Sequence, residues 1–224
     1  MTSSRETVLK AVRRSLQADS RDRAAGEAVE ARLAEAPAGV VPARARRPHE
    51  EQIGLFIEMA EAVDATVERV DRTDAVPGRV ADYLRSRNLA HSIVHGADAW
   101  IEELPWQTEP ALERRQGRAM GDEQAGFSRA FGGIAESGTL VLTSGPDNPT
   151  TINFLPEYHI VAIRAEDIDG DYETVLARIR ESYGKGRMPR LLNMITGPSR
   201  SADIQQTLLL GAHGPRRLHI IVVG

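Results

Sequence analysis

Cysteine is absent from all 224 residues. That excludes disulfides, a thiolate nucleophile and any cysteine-ligated iron–sulfur cluster carried by this chain. Aromatic residues are scarce, 4% against 41% hydrophobic residues in all, so packing must rest on Leu, Ile, Val and Ala. Neither sign of charge dominates: 28 basic and 32 acidic side chains leave a net charge of −4. Such a balance argues against nucleic-acid binding through bulk electrostatics. No apolar run approaches the roughly 20 residues that span a bilayer. Met1 to Leu16 also lacks the apolar core of a secretory signal. The expectation is a cytoplasmic protein without a membrane span. Dinucleotide, P-loop, nucleophile-elbow and zinc-protease motifs are all missing.

What remains is patterned. At about 150 residues per domain, the length suits one large domain with an appended arm. Val8, Val12 and Leu16 recur at helical spacing, and alanine-rich charged sequence follows, so residues 1–36 read as an N-terminal helical arm. Such an arm docks on its own domain or on a second copy of the chain, giving a homodimer. Glu6 and a thin apolar stripe argue against a membrane surface. Residues 37–49, rich in proline and arginine, read as a linker.

From residue 50 to 224 helical and strand-like patterns alternate. Helices are predicted around residues 53–63, 80–84 and 172–183. Strands are predicted at 65–70, 92–95, 139–143, 159–163, 191–196 and 218–223. A further helix through Leu112 and Met120 would carry Arg114, Arg115 and Arg118 on a solvated face. Strands that read as continuous apolar runs indicate an α/β domain, its mostly parallel sheet covered on both faces. Open sheets of this kind bind ligands beyond the carboxyl ends of their strands. The turns at Gly197 and at Ser144-Gly145 are therefore the places to look.

Gly197 and Pro198 break the apolar run that begins at Leu191. Ser199 or Ser201 can then cap a helix whose apolar face starts at Ile204. Unpaired N–H groups at such a helix start, with Arg200 alongside, suit a carboxylate or phosphate. The plainer alternative is that Ser199, Ser201 and Asp203 merely cap the helix. Farther on, His213 stands before Gly214 in a turn that Pro215 fixes, where a ligand can approach the backbone closely. Its alternative is a histidine at a helix C-terminus capped by Gly211. Glu157 and His159 are two apart in an extended segment and share a face, so a carboxylate there would raise the histidine pKa and form an acid–base pair. Each alone can equally be structural. Glu136, just before a strand, can act as base, ligand acceptor or nucleophile, or simply hold its turn. His159, His213 and His219 show no metal-ligand spacing.

Four strings resemble one family in order and spacing: GIAESGTLVL (133–142), FLPEYHIVAI (154–163), ITGPSRSADI (195–204) and GAHGPRRLHIIVV (211–223). The chain resembles the LutC/YkgG group, lactate utilization protein C, within the LUD-domain proteins. The resemblance implies a Rossmann-like sheet similar to that of CoA transferases, ribose-phosphate isomerases and 5-formyltetrahydrofolate cyclo-ligase. It also implies a part in oxidising L-lactate to pyruvate beside iron–sulfur partner proteins that carry the redox centres, with no cofactor in this chain. Its own contribution would be to bind a small carboxylate near Gly197, Ser199 and Arg200, with His213 or Glu136 handling a proton, or to organise the complex. The other reading is a free-standing enzyme acting on a phosphorylated sugar, a folate or a CoA ester.

Overall fold

The computed structural model describes residues 3–15, 23–35, 37–184, 186–202 and 208–224. The chain divides into two compact units, Met1–Val40 and Val41–Gly224. The smaller contains α1 (Ser4–Ser15) and α2 (Arg23–Glu35). A reciprocal cap starts α1: Glu6 N–H donates to Ser3 Oγ at 3.3 Å, and Ser3 N–H donates to Glu6 Oε2 at 3.1 Å. Within the larger unit, Ala43–Ala45 form a 3-10 turn whose Ala45 is buried, so part of the proline-rich segment packs there.

The larger unit continues with α3 (His49–Ala62), β1 (Thr66–Val70), α4 (Val76–Ser86) and β2 (Ser92–His95). Then come α5 (Ala99–Glu102), β3 (Glu113–Gln116), β4 (Ala125–Arg129), β5 (Gly132–Ile134) and β6 (Thr139–Thr143). After α6 (Thr150–Phe154) follow β7 (Tyr158–Arg164), β8 (Ile168–Asp169) and α7 (Tyr172–Tyr183). The chain closes with β9 (Leu192–Ile195), β10 (Arg200–Ala202), β11 (Leu208–Leu210) and β12 (Arg217–Val223).

Six strands form an all-parallel sheet in the order β1-β12-β7-β4-β2-β3. Its centre is β7 and β12, whose apolar runs are buried along nearly their whole length, as a sheet covered on both faces requires. On one face Val161, Ile163, Ile220 and Val222 pack with Ile53 and Phe56 of α3 and Leu140 and Leu142 of β6. On the other, Ile160, Ala162 and Ile221 meet Val80 and Leu84 of α4 and Ile101 and Trp106 beyond it. A second sheet, β8-β5-β6-β9, is mixed, and its outer side packs Ile134 and Val141 against Val175 and Ile179 of α7.

Three expectations change. Residues 113–116 are an edge strand, not a helix: they pair in parallel with β2, and all four side chains are exposed, as a charged sheet edge is. The strands leading to Ser144 and Gly197, β6 and β9, pair antiparallel in the mixed sheet. The carboxyl ends of the parallel strands therefore lie elsewhere, at residues such as His95, Arg129 and Arg164. Finally, no helix starts at Ser199. Ser199 N–H donates to Pro215 O at 2.8 Å, Gly211 N–H donates to Ser199 O at 3.0 Å, and β10 pairs antiparallel with β11. Those backbone groups are spent on each other, so a helix N-terminus is not available to an anion. No helix among the described residues is long and apolar enough to cross a membrane.

Candidate functional site

A cavity of about 220 Å³ is walled by the loops at 196–199 and 213–215, the end of α6 and the first residues of β7 and β12. Asn153, His159, Thr196, Ser199 and His213 supply its polar wall, and Phe154, Ile195, Pro215 and Leu218 much of the apolar one. Gly197 seats the first loop: its φ is +79°, and a Cβ there would meet Val63 O at 2.5 Å. Only glycine fits both conditions. Arg200 secures the same loop by pairing with Asp64, in the turn that ends α3. Ser199 Oγ accepts from His213 N–H at 3.3 Å and so joins the two loops.

His159 sits near the start of β7 and is fully buried. Its Nε2 lies 3.0 Å from Ser128 Oγ, and the Ser128 hydroxyl donates to Asn153 Oδ1 at 3.2 Å. A serine hydroxyl has one hydrogen to give. With that hydrogen on Asn153, His159 Nε2–H must donate to Ser128, which leaves His159 Nδ1 as a bare acceptor. Burial pushes the His159 pKa down to about 3, so the ring is neutral near pH 7. His159 Nδ1 and Asn153 Nδ2 are both buried and have no partner among the described residues. An unpaired buried polar group costs about 1–3 kcal/mol. One acceptor and one donor in the wall of one cavity suit a ligand that offers a hydroxyl to the first and an oxygen to the second. Thr196 extends the polar wall inward: its Oγ1 is 2.7 Å from Thr139 Oγ1, itself 2.7 Å from Ser137 Oγ and 3.3 Å from the Tyr172 hydroxyl.

Of the residues singled out from sequence, His159, Gly197, Ser199, His213 and Gly214 meet in this cavity. Glu136, Glu157 and Arg200 do not line it. Glu136 is buried, and its Oε1 accepts from Tyr172 N–H at 3.2 Å, holding the start of α7. Glu157 lies 3.6 Å from Arg216 at the surface, because the strand begins one residue later, at Tyr158. The expected Glu157–His159 acid–base pair is therefore not formed, and burial lowers the His159 pKa where a carboxylate would have raised it. The Ser201 side chain, Asp203 and Ile204 lie outside the described residues. Ser128, Asn153 and Thr196 went unnoticed in sequence. The available signal was a serine inside a buried strand segment and an asparagine one residue before the FLPEYHIVAI string.

A model of the LUD domain matches residues 53–223. The chain belongs to the LUD-domain family. Several of the relatives it resembles carry the name lactate utilization protein C. Lactate utilization protein C of Geobacillus sp. (strain WCH70) is 43% identical over 104 residues, which are 45% of this chain and 43% of that protein. Lactate utilization protein C of Oceanobacillus iheyensis is 27% identical over 168 residues, 74% of this chain and 70% of the other. A Neisseria meningitidis serogroup B protein, named only as uncharacterized, is 35% identical over 127 residues, 57% of this chain and 53% of that one. The chain thus spans about half the length of the Geobacillus and Neisseria relatives. A crystal structure of a DUF162-family protein from Deinococcus radiodurans matches with a TM-score of 0.63, covering 80% of this chain and 99% of that one at 23% identity. The two share the α/β fold. Among the described residues of this LUD domain, no group of three His, Asp or Glu side chains could hold a metal ion.

Proposed function

We propose that this LUD domain serves lactate utilization by holding a small 2-hydroxy acid in the cavity around His159. The observation that carries the reading is the unpaired acceptor and donor, His159 Nδ1 and Asn153 Nδ2, buried in one wall. A 2-hydroxyl group donates to the first, and a carboxylate oxygen accepts from the second, with Ser199 and His213 beside them. A pKa near 3 makes His159 a hydrogen-bond acceptor and not a base at neutral pH. The domain then binds and orients, and proton transfer falls to the exposed His213 or to a partner. Without cysteine this chain carries no cysteine-ligated cluster, so oxidation of L-lactate to pyruvate rests on iron–sulfur partner proteins. The relatives named Lactate utilization protein C support that assignment. Kinship of the sheet with CoA transferases, the cytoplasm as the working compartment and pairing of two copies through the arm belong to the same reading.

The volume weighs against a folate or CoA ester. About 220 Å³ is below the roughly 300–1,000 Å³ typical of sites for drug-sized ligands. Thermal unfolding with L-lactate, pyruvate and propionate tests the proposal. A ligand at ten times its Kd adds about 1.4 kcal/mol of stability. L-Lactate is expected to raise Tm and propionate, which lacks the hydroxyl, to raise it less. Equal responses to lactate and propionate, or none at tens of millimolar, would refute the assignment.

A further inference from the structure

A second cavity, of about 340 Å³, opens at the other end of the parallel sheet. Its wall includes Arg129 and Arg164, the last residues of β4 and β7, and Asp98, just beyond β2. In the sheet, β2 is followed by β3 on one side, whereas its neighbour β4 is followed by β7 on the other. Adjacent strands whose connections leave in opposite directions form a topological switch point, where open α/β sheets bind ligands.

The lining holds three arginines, each held by a carboxylate that fixes its direction. Asp98 Oδ2 holds Arg129 Nε at 3.0 Å and Nη2 at 2.9 Å. Asp167 holds Arg164 Nε at 2.7 Å and Arg178 Nη2 at 2.6 Å, and Asp169 holds Arg178 Nη1 at 2.7 Å. A guanidinium has five N–H donors. Arg129 Nη1 and Arg164 Nη2 make no hydrogen bond among the described residues, so both remain for a ligand. Asn148 adds a different demand. It is 6% exposed, its Nδ2 donates to Thr143 O at 3.2 Å, and its Oδ1 is buried with no partner among the described residues. That oxygen needs a donor, which a phosphate dianion lacks and a hydroxyl has. Asp147 and Glu181, both exposed in the same wall, also accept from hydroxyls.

We propose that this crevice is a second ligand site, for a small hydroxylated phosphate ester, with Arg129 and Arg164 taking the phosphate and Asn148 a hydroxyl. Arg129 Nη1 and Arg164 Nη2 offer donors to the three acceptor oxygens of a phosphate, while Asp98, Glu166 and Asp167 share the guanidinium charge. The site is separate from the His159 cavity: His159 and Arg164 stand five residues apart on β7, about 16 Å at strand rise.

Isothermal titration with glycerol 3-phosphate, inorganic phosphate and glycerol tests it. Wild type is expected to bind one glycerol 3-phosphate at least tenfold more tightly than either of the others. Arg164→Gln raises that Kd tenfold or more; Arg164 is half-exposed and Asp167 keeps Arg178, so this variant folds. Asn148→Ala brings glycerol 3-phosphate to within about threefold of inorganic phosphate. Ser199→Ala, in the other cavity, leaves all three affinities unchanged. No saturable binding at 10 mM, or a Kd untouched by Arg164→Gln, overturns the site. Glycerol binding as tightly as the phosphate ester overturns its chemistry, and loss on Ser199→Ala moves the phosphate to the first cavity. Lactate stabilisation is read separately, so failure here leaves the lactate assignment standing.

Discussion

Replacing His159 with glutamine tests the neutral imidazole on which the first cavity depends. In the folded chain burial pushes its pKa from 6.5 down to about 3. The unfolded chain takes up the proton near pH 6.5, and the folded chain does so only near pH 3. Stability therefore keeps its high-pH value above about pH 6.5 and is lost as pH falls toward 3. The full gap corresponds to about 5 kcal/mol at 1.36 kcal/mol per pH unit, of which about 2.7 kcal/mol is lost between pH 7.5 and 4.5. Glutamine cannot titrate, and its amide can still donate to Ser128. Urea unfolding of both proteins at the two pH values measures the difference. Wild type should lose about 2–3 kcal/mol more than H159Q, and other titrating groups, shared by both, cancel. Equal losses would refute the neutral, desolvated histidine, and with it the bare Nδ1 acceptor.

Three further outcomes are expected. Gly197→Ala places a Cβ against Val63 O in a left-handed backbone, which costs at least about 1–2 kcal/mol. The variant should also lose the Tm rise with lactate; an unaltered urea midpoint would show that the loop has room. Arg200→Ala removes a pair whose partners are 36% and 62% exposed, and such pairs are worth about 0–1 kcal/mol. Stability and lactate response should both persist, and a lost response measured by titration would put Arg200 in the site after all. Glu136→Ala strips Tyr172 N–H of its buried acceptor at the start of α7, costing about 1–3 kcal/mol with no change in lactate affinity.

Sequence periodicity located the elements whose burial is simple. The helix at 172–183 and the strands at 92–95 and 139–143 appear at their predicted bounds, because apolar residues there face one or two covered sides. Residues 125–129 form a central strand that went unpredicted, since Gly126 and Ser128 interrupt its apolar pattern. The interruptions have causes in the fold. A Cβ on Gly126 would meet Ile152 O at 2.9 Å, so glycine lets α6 lie against the strand. Ser128 is needed to bond His159 and Asn153. The Gly-Pro-Ser segment misled for a related reason. Ser and Asp favour helix caps locally, but here long-range pairing of Ser199 with Pro215 and Gly211 takes the same backbone groups. Local chemistry identified the loop as special, whereas partners 12 to 16 residues away decided its conformation.

The two cavities constrain mechanism through β7, which reaches both. His159 near its start and Arg164 at its end are about 16 Å apart, too far for ligands at the two ends to exchange a proton or a group directly. If both fill, any effect of one on the other must be a coupling free energy carried by the strand and its neighbours, and such coupling is reciprocal. Between the two residues lie Ile160, Val161, Ala162 and Ile163, buried on both faces and paired residue by residue with β4 or β12. A core packed this closely resists small displacements, so strong coupling would require a second packing of β7. The described fold provides a rigid strand, which favours independent sites. Lactate affinity measured with and without saturating glycerol 3-phosphate decides the point. A change beyond about fivefold, matched by an equal change in the reverse titration, would show that β7 has two arrangements; no change would leave a binding domain with two unlinked ends.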